Sequence, residues 1–165
     1  MTDQTSVLSA DHRYGVGVDR REAVRSFGRI EVYENPADAS GAWTELEAIA
    51  PASAYQTFKW LVPWIQTVGR SAGVCPMIVV AHATNDSPVA LFPFGIIQQG
   101  GVRLATFLGG CDSNSNLGLI RPGTQLDKSD IVSLLRTAAH KSRLKPDAFV
   151  LSNQPSSWEG VPNPL

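Results

Sequence analysis

Three apolar stretches lie between residues 76 and 108, parted by only two short polar interruptions. Pro76 to Ala83 carries Met77, Ile78, Val79 and Val80 in succession. Pro88 to Ile97 and Val102 to Leu108 follow. The interruptions are Thr84-Asn85-Asp86-Ser87 and Gln98-Gln99-Gly100-Gly101. Parallel neighbours need a crossover of about a dozen residues or more, so links this short leave only an antiparallel meander.

The flanks add helices and further strands. Arg29 to Glu34 alternates, with Ile30 and Val32 on one side, which is strand-like. Asn35-Pro36 supplies a cap and a proline in the first turn of a helix. Trp43, Leu46, Glu47 and Ile49 give that helix its pattern, and Pro51 ends it. Ser53 caps a second helix from about Ala54 to Gly69, where Trp60 and Trp64 share a face. Pro63 removes a donor inside it, so a kink or two short helices is expected. Beyond the meander come a loop, Gly109 to Asn116, and a short strand, Leu117 to Ile120. Asp127 or Ser129 caps a third helix running to about Leu144, with Ile131, Leu134, Leu135, Ala138 and Ala139 on its core face. Lys141, Arg143 and Lys145 suit its carboxyl end, and Pro146 closes it. Ala148 to Leu151 is a last strand before a loop to Leu165. The expected fold is α/β (α+β): a mixed, mainly antiparallel sheet flanked by helices, with a late strand–helix–strand crossover.

Hydrophobic residues make up 43% of the chain, enough for a core, and charged residues 18%. A net charge of −1 gives no overall field to attract nucleic acid or an anionic membrane. The longest mainly apolar stretch, Pro88 to Ile97, falls far short of the roughly 20 residues that span a bilayer. Residues 1 to 28 are polar and aperiodic, and read as a flexible, solvated extension; 29 to 165 then form one domain. Cys75 and Cys111 lack a CxxC partner, and read as reduced thiols, packed as small buried hydrophobes, in a cytoplasmic protein.

No ready-made chemistry stands out. His12, His82 and His140 are isolated, so no metal site is expected. There is no GxSxG, no GxxxxGK[ST] and no GxGxxG. Two segments stand apart. The loop Gly109 to Asn116 follows an apolar strand with eight small or polar residues, and can present Asp112, Asn114 and Asn116 to a polar substrate. Asn153, Gln154 and Trp158 combine amides with a ring after the last strand, a mixture suited to carbohydrate or amide ligands. Their bland readings are a surface loop and a terminal tail.

Several stretches carry a resemblance when taken in order: Tyr55-Gln-Thr-Phe-Lys-Trp-Leu with Trp64, ALFPFGII, RLATFLGG followed by CDSNSNLGLI, and DAFVLSNQPSSWEGVPNPL. Together they resemble the CelD-type acetyltransferases associated with cellulose and exopolysaccharide biosynthesis. That family is similar to the FemAB-type aminoacyl transferases and belongs broadly to the GNAT superfamily. The resemblance runs from about Ile30 to Leu165. It implies a two-lobed enzyme of which this chain is the amino-terminal lobe, truncated before the lobe that holds acyl-CoA (acetyl-CoA). It further implies a saccharide or other small-molecule acceptor in a groove faced by Asp112, Asn114, Asn116, Asn153, Gln154 and Trp158. The partner would be the missing carboxyl-terminal lobe or, for a non-catalytic binding module, a second copy. A superfamily pyrophosphate loop, Q/R-x-x-G-x-G/A, is not matched by Arg121-Pro-Gly-Thr-Gln or Gln98-Gln-Gly-Gly, so no tight acyl-CoA binding by this chain alone is expected.

Overall fold

The computed structural model describes residues 27–165. The proposed extension over residues 1 to 28 therefore lies almost wholly outside the described residues. Its last two members already belong to the packed body. Phe27 is buried, and Gly28 N–H donates to the His82 carbonyl at 2.8 Å.

The meander forms as the short connections require. Strands β1 (Arg29–Tyr33), β2 (Cys75–His82), β3 (Pro88–Gln99) and β4 (Val102–Phe107) pair antiparallel in sequence order. Strand β6 (Ala148–Val150) lies parallel beside β4, with Leu104 opposite Ala148. The short strand that precedes it in the chain, β5 (Leu119–Ile120), pairs antiparallel with β3 instead. The mixed, mainly antiparallel sheet expected from sequence is thus the observed one.

Side chains of the central strands alternate between two cores. Met77, Val79, Phe92 and Phe94 face helix α3 (Lys128–Lys141), which contributes Ile131, Leu134 and Ala138. Ile78, Val80 and Leu91 face α1 (Ser40–Glu47) and α2 (Phe58–Trp64), which contribute Trp43, Leu46 and Leu61. Cover on both faces explains why β2 and β3 read as continuous apolar runs rather than alternating ones. Phe94 anchors the first core, with ring centroids 4.8 Å from Phe107 and 5.5 Å from Phe149. That pair of contacts joins β3 and β4 to the parallel edge strand.

The helices are shorter and more divided than their sequence patterns. The Asn35 side chain accepts from Ala37 N–H at 3.2 Å, but what it caps is a 3-10 turn, Pro36–Ala39. Helix α1 then stops at Glu47, short of Pro51, and Ile49 is 42% exposed rather than part of its buried face. The Glu47 carboxylate instead accepts from Phe58 N–H at 2.9 Å, at the start of α2. The expected second helix is three pieces: a 3-10 turn (Ala54–Gln56) under a Ser53–Gln56 capping box, α2, and a π turn (Ile65–Gly69). Pro63 sits inside α2, and the ladder widens to the π pattern just after it, where a missing donor is best absorbed. The third helix ends at Lys141 instead of Leu144.

Two further details differ from expectation. The terminal loop contains a small hairpin, β7 (Ser157–Trp158) and β8 (Val161–Pro162). Its two turn residues, Glu159 and Gly160, both have positive φ (49° and 79°), the backbone a two-residue hairpin turn demands. Cys75 and Cys111 are both free, as expected, but exposed rather than buried. Among the described residues, no helix is long and apolar enough to cross a membrane.

Candidate functional site

The site arises from an interruption in one strand line. Phe107 pairs with Phe94, and Leu108 N–H donates to the Pro93 carbonyl at 2.9 Å. Pairing on β3 resumes at Leu119, opposite Leu91, and continues to Arg121 N–H on the Val89 carbonyl at 2.9 Å. So β4 and β5 occupy one line along the twelve-residue β3, and residues 109–118 are looped out of it. Gly109 starts the excursion at φ +94°, where L side chains are strained. A Cβ there would also stand 2.1 Å from Ser113 Oγ and 3.0 Å from the Trp60 ring.

The excursion is pinned on two sides. On one, the buried Gln56 donates from Nε2 to the Ser115 carbonyl at 2.6 Å. The Gln56 Oε1 accepts from Ser53, and its carbonyl accepts the Trp43 indole N–H at 2.9 Å. On the other side, Asn116 N–H donates to the Asn153 carbonyl at 2.9 Å. Asn116 Nδ2 reaches the Ser152 carbonyl at 3.0 Å, and Asn153 Nδ2 the Ser113 carbonyl at 3.3 Å. The two loops singled out in the sequence therefore meet, just past the carboxyl ends of the parallel strands β4 and β6.

The six nominated residues do not form one cluster. Asp112 and Asn114 are exposed and flank Ser113, which is buried and extended (φ −104°, ψ 119°). Asn116 is buried at 3%, and its backbone N–H and side-chain amide both donate to the second loop, which makes it a staple between the two. Asn153 shares that stapling role and has φ +57°. Gln154 donates to the Leu151 carbonyl at 3.3 Å and accepts from Asn163 at 3.0 Å. Trp158 lines a separate small depression with Pro51, Ile120, Val161 and Pro164, which takes in none of the other five. Its indole N–H is buried without a partner among the described residues.

Three aromatic residues that the loop's composition does not point to join Asp112 and Asn114: Tyr55, Trp60 and Trp64. Trp64 Nε1 donates to Asp112 Oδ2 at 2.8 Å, and Asn114 Nδ2 donates to the Tyr55 hydroxyl at 3.2 Å. Tyr55 and Trp60 meet edge to face, with centroids 5.3 Å apart. Gly109 and Gly110 let the loop lie against Trp60 and Trp64, since their missing Cβ atoms would fall 3.0 and 3.9 Å from those rings. The four-residue spacing of Trp60 and Trp64 was visible in sequence; the 48-residue reach to Asp112 was not.

A titratable network lies elsewhere, at the β1–β2 edge. His82 is only 7% exposed, with Nδ1 3.0 Å from the Asp86 carbonyl. Its Nε2 is 3.2 Å from Glu31 Oε2 without forming a hydrogen bond. Glu31 also accepts from Tyr33 and Arg29. The Tyr33 bond, foremost, lowers the Glu31 carboxyl, while burial first and that bond second push Tyr33 up to about 12. With its ring nitrogens enclosed, His82 links β2 to the turn at Asp86 and to Glu31 of β1. Among the described residues, no three His, Cys, Asp or Glu side chains gather to hold a metal ion.

The candidate site is thus a ten-residue excursion from the mixed sheet and a second loop, meeting at one end of its parallel pair. No family model, no curated protein and no solved structure matches the chain.

Proposed function

We propose that this chain is the acceptor-binding lobe of a GNAT-type, FemAB-like acyltransferase. The observation that carries the reading is the strand order. An antiparallel β1–β2–β3–β4 run is followed by a helical crossover to β6, parallel with β4, and the nominated loops meet at the carboxyl ends of that pair. In open α/β sheets, ligands bind in the crevice beyond the carboxyl ends of the strands. In this reading the whole enzyme transfers an acyl group from a CoA thioester to an amine or hydroxyl, which the family resemblance places in polysaccharide or cell-envelope biosynthesis.

The described residues do not fit the CoA pyrophosphate. A pyrophosphate held at a helix start needs free backbone N–H groups and a positive dipole end. The start of α3 is closed by its own anions: Asp127 accepts Asp130 N–H at 2.8 Å, and Asp130 accepts Asp127 N–H at 3.2 Å. The Asp130 N–H bond holds the Asp127 carboxyl below its usual range, which keeps it charged. Pro122, in the nearest candidate loop, has no N–H to give. The donor thus belongs to a second lobe, and this chain's part is to bind and orient the acceptor, with Asp112 placed to accept from its amine or hydroxyl.

The same closed helix start favours a second reading, a non-catalytic partner module that pairs with a separate lobe or a second copy. Titration calorimetry of residues 1–165 with acetyl-CoA, beside light scattering, tests the assignment. No heat from a folded protein is expected; micromolar binding would place a complete donor site within this chain and overturn it.

A further inference from the structure

We infer that His82 is held as an imidazolium between Glu31 and the turn at Asp86, and that its second proton latches the β1 edge of the sheet. The inference stands apart from the acyltransferase reading. Both ring nitrogens face oxygens: Nδ1 is 3.0 Å from the Asp86 carbonyl, and Nε2 is 3.2 Å from Glu31 Oε2. A neutral imidazole carries one N–H and one bare lone pair. If Nδ1 holds the proton, the Nε2 lone pair faces a carboxylate. If Nε2 holds it, the Nδ1 lone pair faces a carbonyl. Either form sets an acceptor against an acceptor in a ring that is largely buried, where an unmet polar group is costly. Only the imidazolium puts a donor beside each oxygen.

The surrounding charges favour the same proton. Arg29 lies directly opposite His82 in the β1–β2 register. It bonds Glu31 and stands 3.2 Å from Asp86. Two acids, Glu31 and Asp86, thus share one fixed cation, and a protonated His82 balances them. The Tyr33 hydroxyl is spent as a donor to Glu31, and with its own titration pushed up to about 12 it adds no charge. That bond, foremost, holds the Glu31 carboxyl below its usual range. Asp38 adds a negative charge from beyond Tyr33. Lys141 of α3 opposes the proton, but its ammonium is tied to the Ile30 carbonyl at 2.9 Å. The β2–β3 register shifts between Ala81 and His82, an irregularity of the kind that re-aims a side chain. The latch reaches the start of the packed body, because the His82 carbonyl accepts Gly28 N–H at 2.8 Å, next to the buried Phe27. Removing the proton returns the Nε2 lone pair to the Glu31 carboxylate and loosens β1 where the chain enters the sheet.

Long-range proton–nitrogen NMR of the 1–165 chain tests this, with the His82 signals assigned by their loss in His82→Gln. At neutral pH both ring nitrogens of His82 should carry a proton. In Glu31→Gln, which keeps the length and an acceptor but removes the charge, one of them should be bare at the same pH. As the pH of the parent chain is raised, the backbone amide signals of Gly28 and Glu31 should shift in step with the loss of the second ring proton. Those of Leu134 and Ala138, inside α3, should stay in place. A bare ring nitrogen in the parent chain at neutral pH would overturn the inference. So would a ring that stays doubly protonated in Glu31→Gln, or Gly28 and Glu31 amides that ignore the titration of the ring. Should Glu31→Gln fail to fold, the parent spectra and amide shifts still decide.

Discussion

Gly118 has no room for a side chain. A Cβ built there would stand 2.4 Å from the Phe92 ring, which is itself fully buried and stacked on Phe94. The clash is with a core ring, so it cannot be relieved by turning a flexible tip. Gly118→Ala should cost about 1–3 kcal/mol in urea unfolding, the usual price of overpacking. A loss under about 0.5 kcal/mol would mean that the excursion shifts freely against the sheet. At this scale the sequence was legible by composition only. The glycines and asparagines of residues 109–116 marked a loop, and the loop is there. Which of them face water depends on partners far along the chain, such as Gln56 for Ser115 and Asn153 for Ser113. Such pairings follow from the folded path, and single residue types carry no trace of them. Asn116 illustrates it: a polar residue in a polar loop, yet buried as a staple.

At the scale of elements, strands were more legible than helices. Short polar turns fix antiparallel neighbours, so β2, β3 and β4 follow from spacing alone. Helix ends depend on competing caps, and Glu47 capping α2 from outside is one such competition. The parallel edge strand has its own fastening. Arg103, at the start of β4, donates to Asp147, just before β6, from Nη2 at 2.8 Å and from Nε at 3.2 Å. Its backbone N–H also donates to the carboxylate, at 2.8 Å. The guanidinium bond, foremost, lowers the Asp147 carboxyl to about 2. The unfolded value is near 3.9, so the folded state favours the charged form. Its stabilising effect is therefore complete above about pH 4 and drains away as pH falls toward 2. Asp147→Asn should flatten the acid limb of a stability–pH curve between those values and leave the neutral-to-alkaline limb alone. A curve identical to that of the parent chain would show that the pair is screened by water and fastens nothing.

For the whole molecule, the sheet is a partition. Both faces are covered, and the two cores share no side chain: Ile78 packs toward α1 and α2, while Ile131 packs from α3 onto the other face. This division was readable in outline from the unbroken apolar runs, which only a doubly covered sheet tolerates. What the sequence hid was the shared line of β4 and β5 along β3, because a ten-residue loop looks the same whether it leaves the sheet or returns to it. The partition makes a prediction about coupling. Ile78→Val and Ile131→Val each remove one buried methyl and should cost about 0.5–1.5 kcal/mol. Side chains on opposite faces touch different neighbours, so the double variant should lose the sum of the two within about 0.5 kcal/mol. Urea unfolding should remain a single transition, since the cores share β2 and β3 as a common wall. Two transitions would mean that α3 leaves its face while α1 and α2 stay. A strong excess over additivity would mean that strain passes through the sheet, linking α3 on one face to α1 and α2 on the other.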